Sequence, residues 1–159
     1  MVDEGTSLPL EDIAFGTRSI RSYERTEQVG EGTYGKVYRA KCRESGRPVA
    51  IKKIMVRDER KQEGFPRTAL REVAILNNPM LQGQNIVQLI EVVTATDEDE
   101  KVDPEDKAGT AFMVFEYCPY DLYGLLHSGA RIDVGMVKSY LFQLLRALDV
   151  LHANDVVHR

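Results

Sequence analysis

The sequence predicts an α+β fold, on two observations. Five short stretches, at 23–29, 36–42, 48–54, 87–93 and 111–117, have the length and make-up of strands. Three further stretches suit helices: one after Pro66, a short one at Asp121–His127 and a long one from Asp133. The composition belongs to a soluble globular protein, with 43% hydrophobic and 29% charged residues, and 159 residues make one ordinary domain or part of a larger one.

Taken in order, residues 1–22 read as a polar tail with Gly, Ser and Thr and no sustained period, and are expected to be disordered. Tyr23–Val29 and Lys36–Cys42 suit strands joined by a glycine loop, and Arg43-Glu44-Ser45-Gly46-Arg47 is a turn leading to a third strand, Pro48–Ile54. Pro48 stands at that strand's entry, where a missing N–H is tolerated. Pro66 suits the first turn of a helix running to about Asn77. Val87–Val93 and Ala111–Tyr117 are the fourth and fifth strands. Between them, Asp97–Asp106 sets Asp97, Glu98, Asp99, Glu100, Asp103, Glu105 and Asp106 against one Lys101. That segment reads as a solvated loop insertion, with a docking site for a basic partner as the alternative. Asp133 caps the long helix to about His152. Its stripe of Val137, Leu141, Leu144, Leu145, Leu148 and Leu151 is core material rather than a cofactor box.

Several function classes fall away on composition. The net charge of −4 argues against a nucleic-acid surface. No run approaches the roughly 18 apolar residues of a membrane span, so no membrane partner is expected. Met1–Leu10 carries Asp3 and Glu4 where a secretory signal needs a basic end and an apolar stretch. Two cysteines, Cys42 and Cys118, favour an intracellular, reducing location over a disulfide framework. No metal site is expected, because the histidines and cysteines form no close ligand pair.

Gly30-Glu31-Gly32-Thr33-Tyr34-Gly35 is GxGxxG, a weak signal alone. Glycines let backbone N–H groups approach phosphate oxygens without obstruction. A dinucleotide fingerprint must open a helix, yet this loop opens the strand-like Lys36-Val37-Tyr38-Arg39-Ala40. Gly30 to Lys36 also satisfies GxxxxGK, but Val37 stands where that motif needs Ser or Thr for Mg2+. The third reading is a flap between two strands that folds over the phosphates, with Val37 as an apolar contact above the base. The plain alternative is a glycine-rich hairpin with no ligand.

The neighbours favour the flap. In Val49-Ala50-Ile51-Lys52, alternation puts Ala50 and Lys52 on one face: a small residue where a base could lie, then a cation for phosphate oxygens. Lys53 points to the other face and becomes the candidate only if the register slips by one. On the helix after Pro66, Ala69, Val73 and Leu76 form the buried stripe and Glu72 lies on or beside it. A carboxylate there is costly unless paired, and Lys52 is the expected partner, with a local Arg71 pairing as the bland alternative.

With these residues in hand, the chain resembles a protein kinase, and more narrowly a cyclin-dependent kinase, over about Tyr23 to Arg159. Gly30–Val37, Val49–Lys52, Phe65–Leu76, Val114–Cys118 and the terminal His158-Arg159 occur in the family's order and spacing. The resemblance implies a kinase-like fold: a complete N-lobe over 23–118, built of a five-stranded antiparallel sheet plus one helix, and the first helices of a C-lobe over 119–159. It implies ATP and Mg as cofactors and Ser/Thr phosphorylation of a protein substrate by a full-length product, with Lys52 and Glu72 as the catalytic pair. Around the nucleotide it places Val29, Gly30, Glu31, Gly32, Thr33, Tyr34, Gly35, Val37, Ala50 and Lys52. Phe115 becomes the gatekeeper, the Glu116 carbonyl and Cys118 backbone the hinge partners, and Asp121 a residue near the ribose. The plain reading of Met113–Tyr117 as a buried sheet edge holds alongside.

Phe65-Pro66-Arg67-Thr68-Ala69-Leu70-Arg71-Glu72 is similar to the cyclin-facing helix, closer to the PITALRE-like, transcription-associated members than to the PSTAIRE members. Arg67 departs from both patterns and leaves the cyclin open. The resemblance implies that Leu70 faces a cyclin and Arg71 helps bind a phosphorylated threonine. Thr33 and Tyr34 match an inhibitory phosphorylation pair, where added charge would crowd the nucleotide phosphates, or are plain loop residues. A nuclear or cytoplasmic location goes with this family.

The sequence departs from the family after His158-Arg159, before the aspartate of HRD, and Asp155 precedes the motif. The asparagine and the DFG aspartate that hold Mg2+ are also absent. Losing the base alone costs about 10²–10⁴ in rate, so this polypeptide by itself is expected to transfer no phosphate. The long helix is expected to show an exposed apolar patch and a tendency to aggregate. Two readings stay open: part of an active Ser/Thr kinase, which is preferred, or a short nucleotide- or cyclin-binding module.

Overall fold

The computed structural model describes residues 15–32, 35–54 and 67–157. They form one six-stranded sheet with one helix packed on a face of it and two further helices after the last strand. The strands are β1 (Phe15–Ser19), β2 (Tyr23–Gly32), β3 (Gly35–Cys42), β4 (Pro48–Lys53), β5 (Leu89–Thr94) and β6 (Ala111–Glu116). Their order is β1-β5-β6-β4-β3-β2. Five of these strands pair antiparallel, as expected, and β1 joins β5 in parallel at the edge.

The sixth strand corrects the expected count of five, and it corrects the reading of residues 1–22 as disordered tail over the last eight positions. Phe15–Ser19 has no alternation to betray it. Distant partners hold it: Arg18 pairs with Glu91 and Glu44, and the Ser19 hydroxyl donates to Asp99 at 2.9 Å. A short 3-10 turn, Ile20–Ser22, then buries Ile20 and leads into β2. The turn after β3 closes through Gly46, whose φ of 71° favours glycine.

Alternation along β4 and β6 gives the sheet two apolar faces. Val49, Ile51, Phe112 and Val114 pack on one, with Ile20, Tyr23, Ala40 and Val93. Ala111, Met113 and Phe115 pack on the other, against Ala69 and Val73 of α1 (Arg67–Leu76). A fully buried valine such as Val73 contributes roughly 1.5–3 kcal/mol, which fixes the rotation of α1 about its axis.

The acidic segment is not a solvated loop. Asp97–Val102 is a helix, α2, and Asp99 and Asp106 are among the most buried polar residues described. Beyond β6, α3 (Leu122–His127) is capped by Asp121 and α4 (Val134–Ala153) by Asp133, whose carboxylate accepts from the Met136 N–H at 2.8 Å. Of α4 only Ala147 is buried, while Val137, Leu141, Leu144 and Leu145 are 44–63% exposed. The first four residues of the stripe read as core therefore form an exposed apolar patch, as expected, while Leu148 and Leu151 are half-buried.

Candidate functional site

β2 and β3 run into the glycine loop, with Glu31 opposite Lys36 and Gly32 opposite Gly35. No helix follows the loop, which the dinucleotide and Walker readings both require. Gly35 has φ 133°, a conformation that side-chain-bearing residues rarely adopt. Val29 and Glu31 are exposed, and a Cβ at Gly30 would lie 3.8 Å from that of Val37, an ordinary contact. Thr33 and Tyr34, the tip of the loop, lie outside the described residues, as do Phe65, Pro66, His158 and Arg159.

Beside the flap, β4 places Lys52 opposite Val37 on one side and Met113 on the other. Ala50 sits opposite Phe115, so Val37, Ala50, Lys52 and Phe115 come to one region of the sheet. Lys52 Nζ donates to both carboxylate oxygens of Glu72, at 2.8 and 2.7 Å. The pair is partly sheltered, with 19% and 38% of the two side chains exposed. Two periodicities make it: alternation puts Lys52 on the α1 face, and the burial of Ala69 and Val73 turns Glu72 toward it.

Lys53 is brought elsewhere. Its ammonium donates to the Glu105 carbonyl and to Asp106 Oδ1, the latter at 3.0 Å, on the opposite side of the sheet. The register is the one that makes Lys52 the candidate, and Lys53 does not join it.

At the end of β6, the Glu116 N–H donates to the Gln88 carbonyl at 3.1 Å and its carboxylate accepts from the Gln88 N–H at 2.8 Å. Cys118 is a free, exposed cysteine. Asp121 has a structural duty, accepting from the Gly124 N–H at 2.6 Å as the cap of α3. On α1, Leu70 is half-buried and Arg71 exposed.

These parts match a known assembly. A family model described as the protein kinase domain matches residues 23–159. The chain belongs to the protein kinase family. Its relatives include cyclin-dependent kinase C-2 of Oryza sativa subsp. japonica, 45% identical over 94% of this chain and 29% of that protein. Cyclin-dependent kinase 9-B of Xenopus laevis is 38% identical over 88% of the chain and 36% of its own length. Serine/threonine-protein kinase bur1 of Emericella nidulans is 41% identical over 91% and 25%. The kinase chain therefore spans only about a quarter to a third of the length of these relatives. In kinases the ion pair between the β-strand lysine and the helix glutamate must be in place for activity, and Lys52–Glu72 has that arrangement.

Sequence reasoning missed the residues behind the sheet. Asp106 accepts from Arg25 on β2 and from Lys53 on β4, and Asp103 accepts from Arg25 at 2.7 Å. Arg25 also lies over the rings of Tyr38 and Phe112, at 5.3 and 6.0 Å. Asp99 takes hydrogen bonds from Ser19 and from the backbone and hydroxyl of Thr96, and pairs with Arg21 at 3.0 Å. Burial pushes the Asp99 carboxyl up, but the bonds from Thr96 and Ser19 and the Arg21 charge outweigh it, and the net shift is downward. The one available signal was Thr96-x-x-Asp99, a capping-box spacing that announces a helix.

Among the described residues no group of His, Cys, Asp or Glu is placed to hold a metal ion, so the Mg that the family uses has no ligand set there. The Lys52–Glu72 pair beside the glycine loop does fit an anionic ligand: one cation, held by one carboxylate, next to a loop with glycines at 30, 32 and 35.

Proposed function

We propose that this chain is the ATP-binding part of a cyclin-dependent-type Ser/Thr protein kinase. The observation that carries the reading is the bidentate contact of Lys52 with Glu72 beside a glycine loop set between two strands. ATP supplies the phosphoryl group that such a kinase passes to a protein Ser or Thr. The backbone of Gly30, Glu31, Gly32 and Gly35 lies over its phosphates, and Lys52, oriented by Glu72, holds the α- and β-phosphates. Val29, Val37 and Ala50 enclose the base, Phe115 closes the back, and the Glu116 and Cys118 backbone hydrogen-bonds the base edge. Asp121 lies toward the ribose while capping α3. Within the Phe65–Leu76 stretch, α1 (Arg67–Leu76) is the cyclin-facing element, with Leu70 and Arg71 in the roles the resemblance implies. An intracellular location, nuclear or cytoplasmic, goes with this reading.

The described residues hold and orient the nucleotide, and among them no group of His, Cys, Asp or Glu is placed to hold a metal ion. Titration of the chain with a fluorescent ATP analogue tests the reading. Saturable binding competed by ATP and not by a nicotinamide dinucleotide is expected; equal competition by both would overturn it.

A further inference from the structure

The acidic arm at 96–110 touches the three strands that carry the glycine loop and Lys52. It reaches Arg25 on β2, Lys36 on β3 and Lys53 on β4. Lys36 directly follows Gly35 of the loop, and Lys53 directly follows Lys52. These contacts divide into two kinds. Asp106 is buried, with Arg25 and Lys53 both bound to it, and anchors the arm to the sheet. Glu105, by contrast, meets Lys36 at 3.3 Å near the surface, with 65% and 31% of the side chains exposed.

The pairing of β2 with β3 explains why the second contact matters. Its register shifts between Arg25 and Glu27 and again between Gln28 and Gly30. Such irregularities interrupt the ladder and let a strand bend. Arg25, held by Asp103 and Asp106, lies on the base side of both shifts. Lys36, paired with Glu31, lies on the loop side of both. An open polar cleft lined by Arg25, Gln28, Lys36, Asp103 and Glu105 runs between the arm and the flap, and Glu105–Lys36 is an ionic tie across it.

We propose that the acidic arm positions the glycine loop for nucleotide binding, with Glu105 acting through Lys36 as the positioning residue. This rests on the ATP-site reading above. The arm fixes the base of the flap through buried charge and biases its loop end through an exposed, salt-sensitive pair. An exposed pair is weak, so the effect is a tuning of affinity rather than a switch.

The test is a double-mutant cycle on the 159-residue chain, reading the dissociation constant of a fluorescent ATP analogue for the unsubstituted chain, Glu105→Gln, Lys36→Met and both together. Glu105→Gln is expected to weaken binding about two- to threefold at low salt. The loss disappears in the Lys36→Met background and in high salt, while the unfolding midpoint stays put. Unchanged affinity in Glu105→Gln, or an equal loss with Lys36 present and absent, overturns the proposal alone. Absence of saturable binding by the unsubstituted chain overturns the nucleotide reading and the proposal together.

Discussion

Removing the charge of Asp106 is the sharpest test of the brace behind the sheet. Its carboxylate is 2% exposed and receives Arg25 through both terminal nitrogens and Lys53 at 3.0 Å. Asp106→Asn keeps the shape but turns an amide toward one of the cations. Breaking a buried ion pair by removing one partner costs about 3–5 kcal/mol. Arg25 and Lys53 keep 22% and 13% of their side chains in contact with solvent, which relieves part of that cost. A loss of about 2–4 kcal/mol follows, a large share of the roughly 5–15 kcal/mol that stabilises a domain. Thermal and urea unfolding followed by circular dichroism would show it as a midpoint lowered by roughly 5–15 °C. Glu98→Gln is the control, because the Glu98–Lys101 pair is 66% and 70% exposed and its loss should leave the midpoint unmoved. An Asp106→Asn midpoint equal to that of Glu98→Gln would refute the reasoning.

Three further outcomes are expected. Glu72→Gln removes the charge that holds Lys52 and should weaken ATP binding about three- to tenfold, read by the same titration; unchanged affinity would mean that the pair does not orient the lysine. Gly35→Ala forces a side chain to φ 133° and should cost roughly 1–2 kcal/mol of stability by urea unfolding, and a stable, tightly binding variant would contradict the strain at that position. For Asp99, whose folded pKa is lowered, the stabilisation is present above the unfolded value of about 3.9 and is lost as pH falls through the folded value. Asp99→Asn should therefore lose roughly 1–2 kcal/mol at neutral pH and converge with the parent in acid, whereas a deficit that grows on acidification would reverse the sign.

The pairing of Lys52 with Glu72 was legible in the sequence because two short periods decide it. Alternation separates Lys52 from Lys53, and the helical spacing of Ala69, Val73 and Leu76 turns Glu72 to the same side as Lys52. The cap of the long helix was legible for the same local reason, since Asp133 acts on an N–H group three residues away, whereas Asp121 was read inside the short helix it caps. What stayed hidden depends on partners far along the chain. Ser19 meets Asp99 eighty positions later, and Arg25 meets Asp106 across eighty-one. A period-free acidic segment reads as solvated unless its cations are known, and these come from three different strands. The β1 strand was hidden likewise, because five residues without alternation carry no strand signal of their own.

The central claim is that Lys52, held by Glu72, grips nucleotide phosphates rather than merely completing a surface pair. Its most direct measurement is the ratio of ATP to adenosine affinity in the unsubstituted chain and in Lys52→Ala. The account predicts that ATP binds more tightly than adenosine, and that Lys52→Ala weakens ATP about 10- to 100-fold with adenosine affinity retained. Equal losses for ATP and adenosine, or no loss for either, would contradict it.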